Sequence, residues 1–395
     1  MKRLIQITLI ICLLFSTLGF AGAAPAANVS IDGVPVEFTQ ETGFPFVDQN
    51  NRTQVPFRVT LEAFGAEVDW DSASRTAIAE KDGVTVKVPI GTNYVYRDDL
   101  KIINDTASLI QDNLTYLPIR IVLEAFGADV GWDAASRTVT VKSDGETISL
   151  AILAAEVDAA MEEITSMDSE IVTDMSMEVM GEKMDMKQVV KSSLFVDPLR
   201  MKSVQTVTAA GETMTIESYM IQQGDDIVMY IDMGMGEGFI ELLRMPVDEF
   251  DYIAELNLPL ASMITSLDAP ESAVLDGVPV IKLEGVIPKE LMDEVMSAMN
   301  MDDLVASMGM EGLEIDLAFA DIPMTMWVDP ESKLVLKYEM DMKDLLTAMF
   351  NAMLGGLAEE LGEEVEITVN SALMVMTMSN FNNATEFTLP AGIPK

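Results

Sequence analysis

The sequence contains no histidine, and its one cysteine is Cys12, near the start. Without histidine there can be no Ser-His-Asp or Cys-His nucleophilic pairing, and the commonest zinc and copper ligand is missing. Beyond Cys12 there is no disulfide and no thiol chemistry. Bases are scarce as well: 24 Lys and Arg face 65 Asp and Glu, for a formal charge of −41. That balance argues against nucleic acid, whose phosphates need basic contacts, and against electrostatic docking on anionic lipid. The plain reading of so much acid is solubility and mutual repulsion. After Phe20 no apolar run is long enough to cross a bilayer.

What is present begins with MKRLIQITLIICLLFSTLGFAGAAPAA. Lys2 and Arg3, an apolar run from Leu4 to Phe20, and small residues between Ala23 and Ala27 have the layout of a secretory signal peptide. Residues 1–26 are therefore expected to be removed and the mature chain to be secreted. Ile10 and Ile11 stand where a lipid-modified cysteine needs a small neighbour, so Cys12 is not read as an anchor.

The remainder changes character near residues 143–151. Residues 1–150 hold 19 acids and 12 bases, with Met1 as their only methionine; residues 151–395 hold 46 acids, 12 bases and 30 methionines. A domain border is expected there, with one domain over 28–143 and another over 150–395.

The first of these contains a repeat. Pro56–Thr76 and Pro118–Thr138 agree at 15 of 21 positions without a gap. In each copy a proline is expected to open a helix (VPFRVTLEAFGA, LPIRIVLEAFGA) at its first position. Leu61 with Phe64, and Leu123 with Phe126, share a helical face, and Gly65 and Gly127 end the helix where a left-handed residue is needed. A short strand with Val68 and Trp70, or Val130 and Trp132, leads to a turn at Asp71 or Asp133 and a second strand from Arg75 or Arg137. The two tryptophans are expected to anchor the core. Arg58 and Arg120 are expected to tie each helix to a nearby carboxylate or carbonyl.

These residues (VPFR and LPIR, then EAFGA, W-D and S-R-T in both copies, with the opening VSIDGVPVEF) resemble the copper amine oxidase N-terminal-like domain. That domain is the stalk module of many secreted proteins of Gram-positive bacteria. The resemblance covers about residues 28–143 and implies a packing unit without an active site. Amine oxidase chemistry itself would need histidine copper ligands and a quinone in a separate catalytic domain.

In the second half, Leu150–Met167 reads as an amphipathic helix, after which the period becomes two. Met175, Met177 and Val179 fall on one face and Met184 and Met186 resume it, as in an antiparallel hairpin with one wet face. Further strands are expected at KSSLFV, LRMKSVQTVT, ETMTIESYMIQ (with Met214), DIVMYIDMG (with Met229), VPVIKLEGV, PMTMWVDP, KLVLKYEMDM and EVEITVNSALMVMTMSNF (with Met374, Met376 and Met378). Helices are expected near Pro288–Met308 and Lys343–Leu361. AAMEEITSMDS, VDPESKLVLKYEM and SNFNNATEFTLPAGIP resemble the bacterial lipoprotein-carrier superfamily, including mycobacterial lipid-binding lipoproteins. That resemblance implies a half-barrel wrapped around helices, with an apolar cavity for acyl chains.

The ten residues Met175, Met177, Val179, Met184, Met186, Met214, Met229, Met374, Met376 and Met378 thus have two readings. They are ordinary core, or they line an adaptable apolar cavity. The M-x-M pairs also suit Cu(I), but neither histidine nor cysteine stands beside them, and two apart is the spacing of any buried strand face. GMGEG (Gly234–Gly238) lacks the last glycine of a dinucleotide fingerprint and reads as a hairpin tip. The paired carboxylates are expected by chance in so acidic a chain, so no glycosidase pair and no calcium loop is assigned. The sequence therefore points to an α+β protein with an antiparallel stalk module of two helix-strand-strand units, followed by a larger half-barrel. No catalytic residue, metal or cofactor is expected. Its partners would be a lipid or other hydrophobic ligand and cell-envelope components, with a purely structural or adhesive surface protein as the alternative.

Overall fold

The structure, a computed structural model, describes residues 27–145, 149–179, 181–232, 234, 238–247, 260, 263, 266–291, 320–350 and 367–393. The expected signal peptide, residues 1–26, lies outside the described residues. The chain divides into two compact units, 1–152 and 153–395, and it is mostly β rather than evenly α+β.

In the first unit, β4 (Thr53–Pro56) runs into a helix at Phe57–Ala63, followed by β5 (Glu67–Asp71) and β6 (Thr76–Lys81). The second copy repeats this order: β11 (Leu114–Pro118), a helix at Ile119–Glu124, β12 (Asp129–Asp133) and β13 (Thr138–Lys142). Pro56 and Pro118 are not the first helical residues; each is the last residue of a strand and caps the helix that follows. A fixed φ serves that position equally well, and the missing N–H costs no helical hydrogen bond. Gly65 (φ 88°) and Gly127 (φ 87°) end the helices in the left-handed region.

β4 and β11 pair antiparallel with Val55 opposite Leu117, so the two copies meet at their proline strands. The Phe64 and Phe126 rings then pack at a tilt of 46°, with centroids 5.7 Å apart. The remaining strands extend each copy. β6 continues through β7 (Val84–Pro89), β8 (Tyr94–Arg97) and β9 (Leu100–Ile103) into a five-stranded sheet. β13 takes β1 (Asn28–Ile31) as a parallel neighbour, so this unit is not wholly antiparallel; β2 (Val34–Pro35) pairs with β1, and β3 (Phe46–Val47) and β10 (Leu109–Gln111) flank the β4–β11 pair.

The second unit is one sheet of eleven antiparallel strands that forms a half-barrel. Its first arm runs from β14 (Ser166–Val179) through β15 (Glu182–Phe195), β16 (Arg200–Ala209), β17 (Glu212–Gln223) and β18 (Asp226–Asp232) to β19 (Ile240–Pro246). Its second arm runs from β20 (Glu271–Leu275) through β21 (Val278–Ile287), β22 (Ile322–Val328) and β23 (Val335–Asp341) to β24 (Ile367–Ser379). The arms join where β24 lies antiparallel to β14. The helix at the head of this unit stops at Glu162, short of the expected Met167, because Ser166 and Met167 already belong to β14. Residues 343–350 are helical; the rest of that expected helix, and all but the first turn of the one near Pro288, lie outside the described residues.

Candidate functional site: the helix-bearing face of the half-barrel

Strand register decides which side chains share a face. Met175 lies opposite Met186 and Ala372, and Met177 opposite Met184 and Val369. Met175, Met177, Val369 and Ala372 form a buried cluster, packed against Val179, Met184, Met186 and Ile367 and against Met342, Leu346 and Phe350, the last two in the helix 343–350. At this end of the face Met175 and Met177 are buried by the protein's own packing, and Val179, Met184 and Met186 are partly buried against them.

Farther along the same face the rows cross from strand to strand. Met376 lies opposite Ile171 on one side and Tyr338 on the other, and Met374 opposite Thr173 and Met340. Tyr338 in turn faces Met326, which is fully buried. Burial, with the Asp158 carboxylate nearby, pushes the Tyr338 hydroxyl up to about 12. Asp158 belongs to the helix Leu150–Glu162, so that helix also lies on this side of the sheet.

A third row crosses six strands: Met167, Leu194, Met201, Met220, Met229 and Leu243 are successive cross-strand partners from β14 to β19. From Met167 to Met229 these residues are neither buried nor fully exposed, and Leu243 is 37% exposed. Met214, near the start of β17, is 45% exposed and meets none of the other candidate methionines across the sheet; its neighbour is Val207. The candidates thus separate into a filled end (Met175, Met177, Val179, Met184, Met186), a middle (Met374, Met376, Met378) and an open arm (Met214, Met229).

A polar line that strand periodicity does not mark runs between these apolar rows. Ser169, Ser192, Ser203 and Ser218 are consecutive cross-strand partners, with Met378 opposite Ser169 at one end. The Ser192 and Ser203 hydroxyls lie 2.8 Å apart. Only the register reveals this line, since the four serines have no common spacing in the sequence.

The opposite face carries a second cluster. Tyr219, Ile221, Val228 and Tyr230 pack with Phe239, Phe387, Leu389 and Ile393. Arg200 donates from one nitrogen, Nη2, to both carboxylate oxygens of Glu386, and its guanidinium lies 3.9 Å from the Phe195 ring centroid. Asp168 accepts hydrogen bonds from Thr385 and Asn380. Burial alone would raise its carboxyl, but hydrogen bonds from Thr385, Asn380 and Ser193 outweigh that and hold it at about 2. The C-terminal segment is thereby strapped across the side of the sheet away from the methionines.

In the first unit, among the described residues Arg58 reaches only Glu62, 3.4 Å away, whereas Arg120 bonds both Glu124 and the Val130 carbonyl oxygen. Asp71 and Asp133 each accept hydrogen bonds from the turn that follows, which lower both carboxyls, chiefly through Ser74 and Ser136. Arg75 and Arg137 are left-handed turn residues (φ 53° each), so the second strands begin one residue later than expected. Trp70 is half-buried, but Trp132 is 45% exposed and is no core anchor. It shares a strand face with buried Val130, yet lies next to the turn at the strand end, where nothing covers the ring fully. A cleft of about 340 Å³ beside Arg120 is lined by Glu124, Asp129, Gly131, Thr140 and Lys142. Burial pushes the Glu124 carboxyl up against the pull of Ser149 and Arg120. Within it Glu124 pairs with Arg120 at 3.3 Å and accepts a hydrogen bond from the Ser149 hydroxyl at 2.8 Å.

The architecture is thus that of a β-rich protein with a duplicated packing module and an apolar-faced half-barrel. Residues 30–141, with a second match over 97–177, match the Copper amine oxidase N-terminal domain family, which the doubled motif resembles. Residues 150–242 match DUF6612, a family of unknown function. No curated protein matches the chain. Among solved structures, LprF from Mycobacterium bovis is 13% identical, with 62% of this chain and 100% of that one covered and a TM-score of 0.35. A DUF1329 family protein from Desulfovibrio piger is also 13% identical, covering 62% of this chain and 92% of that one, with a TM-score of 0.20. These likenesses are too distant to assign a ligand or the role of a residue.

Proposed function

We propose that this is a secreted, non-catalytic cell-envelope protein in which a stalk domain, residues 28–143, presents a half-barrel domain, residues 150–395, that binds a lipid or another apolar molecule on its helix-bearing face. The observation that carries this reading is the row from Met167 to Leu243. It places six large apolar side chains side by side across six strands without burying any of them fully. Methionine suits such a surface because its unbranched, polarizable chain adapts to varied apolar shapes. Pockets for such ligands are mostly apolar with a few polar groups, and the serine line supplies hydroxyls within the same floor. The test is native mass spectrometry of the protein purified from its own host, followed by solvent extraction. A bound mass that is recovered as lipid supports the reading, and a ligand-free protein that also ignores added fatty acid contradicts it.

A second reading, a structural or adhesive surface protein without a ligand, is favoured by the filled end of the face, where Met175 and Met177 pack against Leu346 and Phe350.

A further inference from the structure

An open sheet has two edges, and an exposed edge strand offers unpaired backbone groups to another chain. Among the described residues β19 pairs only with β18, and it carries Ile240, Leu242 and Leu243 at 42%, 47% and 37% exposure. A bulge at Leu242 shifts its register, so that Glu241 opposes Tyr230 while Leu243 opposes Met229. One extra residue reverses the alternation of faces. Ile240, Leu243 and Met245 therefore share the face of Met229, and Glu241 and Arg244 share the other. Glu241 and Arg244 accordingly bond to each other at 2.8 Å, and Arg244 also reaches Asp226 at 2.9 Å.

The segment Ile-Glu-Leu-Leu-Arg-Met is complementary to itself when run antiparallel. About a two-fold axis between Leu242 and Leu243, Glu241 of one copy faces Arg244 of the other, twice, on one side of the sheet. Ile240 faces Met245 on the other side, and leucine meets leucine at the centre. The opposite edge, β20, has no such match: its sequence Glu-Ser-Ala-Val-Leu would set Glu271 against Leu275. We propose that β19 is a docking edge for a second copy of this chain, the two strands pairing antiparallel in an isologous dimer. Opposite charges across the strands fix the register and the apolar pairs supply the attraction. A single strand pair covers less than an ordinary stable interface, so the dimer is concentration-dependent.

The test is the mass in solution of the full chain as its host exports it, by sedimentation equilibrium across a range of concentrations. Wild type is expected to dimerise. Glu241→Arg and Arg244→Glu, each checked for fold by circular dichroism, are expected to be monomeric alone and to form a heterodimer when mixed equally, because the mixture restores both pairs. Both side chains are more than two-fifths exposed, so the fold should tolerate either change. Should a variant misfold, the wild-type mass and the other variant decide. A wild type that is monomeric at every concentration, variants that dimerise as wild type does, or open-ended filaments would each overturn the proposal.

Discussion

The Arg120 guanidinium donates a hydrogen bond to the carbonyl oxygen of Val130 at 2.6 Å, a bond that Arg58, its counterpart in the first repeat, does not make. β12 is the edge of its sheet, so this bond occupies an edge carbonyl from the helix side. Replacing Arg120 by Ala should lower stability by about 1 kcal/mol, the usual net worth of an intramolecular hydrogen bond. The Arg58→Ala change removes only an exposed helical pair and should cost about 0.5 kcal/mol or less. Urea unfolding of the two variants checks the order, and equal losses would deny the edge bond any role.

The tryptophans should also differ. Trp132→Ala is expected to cost well under the roughly 3–5 kcal/mol of a buried aromatic ring, and Trp70→Ala to cost more than its partner. Thermal melts of both variants decide. A larger loss at Trp132 would mean that its ring is covered in solution.

At Asp168 the folded carboxyl is held at about 2, below its unfolded value of 3.8. Such a group adds stability that is present above the unfolded value and is lost as pH falls from about 4 towards 2. Asp168→Asn removes the charge at neutral pH and should release the strap at Thr385 and Asn380. Hydrogen exchange should then speed at Thr385, whose amide bonds to Asp168, while β14 keeps its protection. Unchanged exchange there would show that Phe387 and Ile393 hold the strap alone.

Limited proteolysis should cut near residues 143–149, ahead of the helix Leu150–Glu162, and leave two folded pieces. Resistance there, with one cooperative unfolding step for the whole chain, would count against two independent domains.

Much of this was legible in the sequence because period and turn chemistry are local. The repeat reads directly, and the alternating apolar residues of β14 to β18 and β21 to β24 mark strands. β19 is not legible because the bulge at Leu242 breaks its alternation, and β20 because five residues are too few to show one. The exposure of Trp132 depends on what covers a strand end, which no local pattern encodes. The same holds for the strap, where Phe387 meets Phe195 and Tyr219 from far along the chain. Of the ten candidate methionine-face residues, the sequence found the alternation but not the division between filled end and open arm. That division depends on where the helix 343–350 sits.

The most direct test of the central claim is a titration of the delipidated full chain with a fluorescent long-chain fatty acid. It should compare wild type with Met220→Asp on the helix-bearing face and Thr206→Asp on the other. Saturable binding by wild type and Thr206→Asp, abolished in a folded Met220→Asp, is the result expected. No binding by wild type, or equal binding by all three proteins, would contradict it.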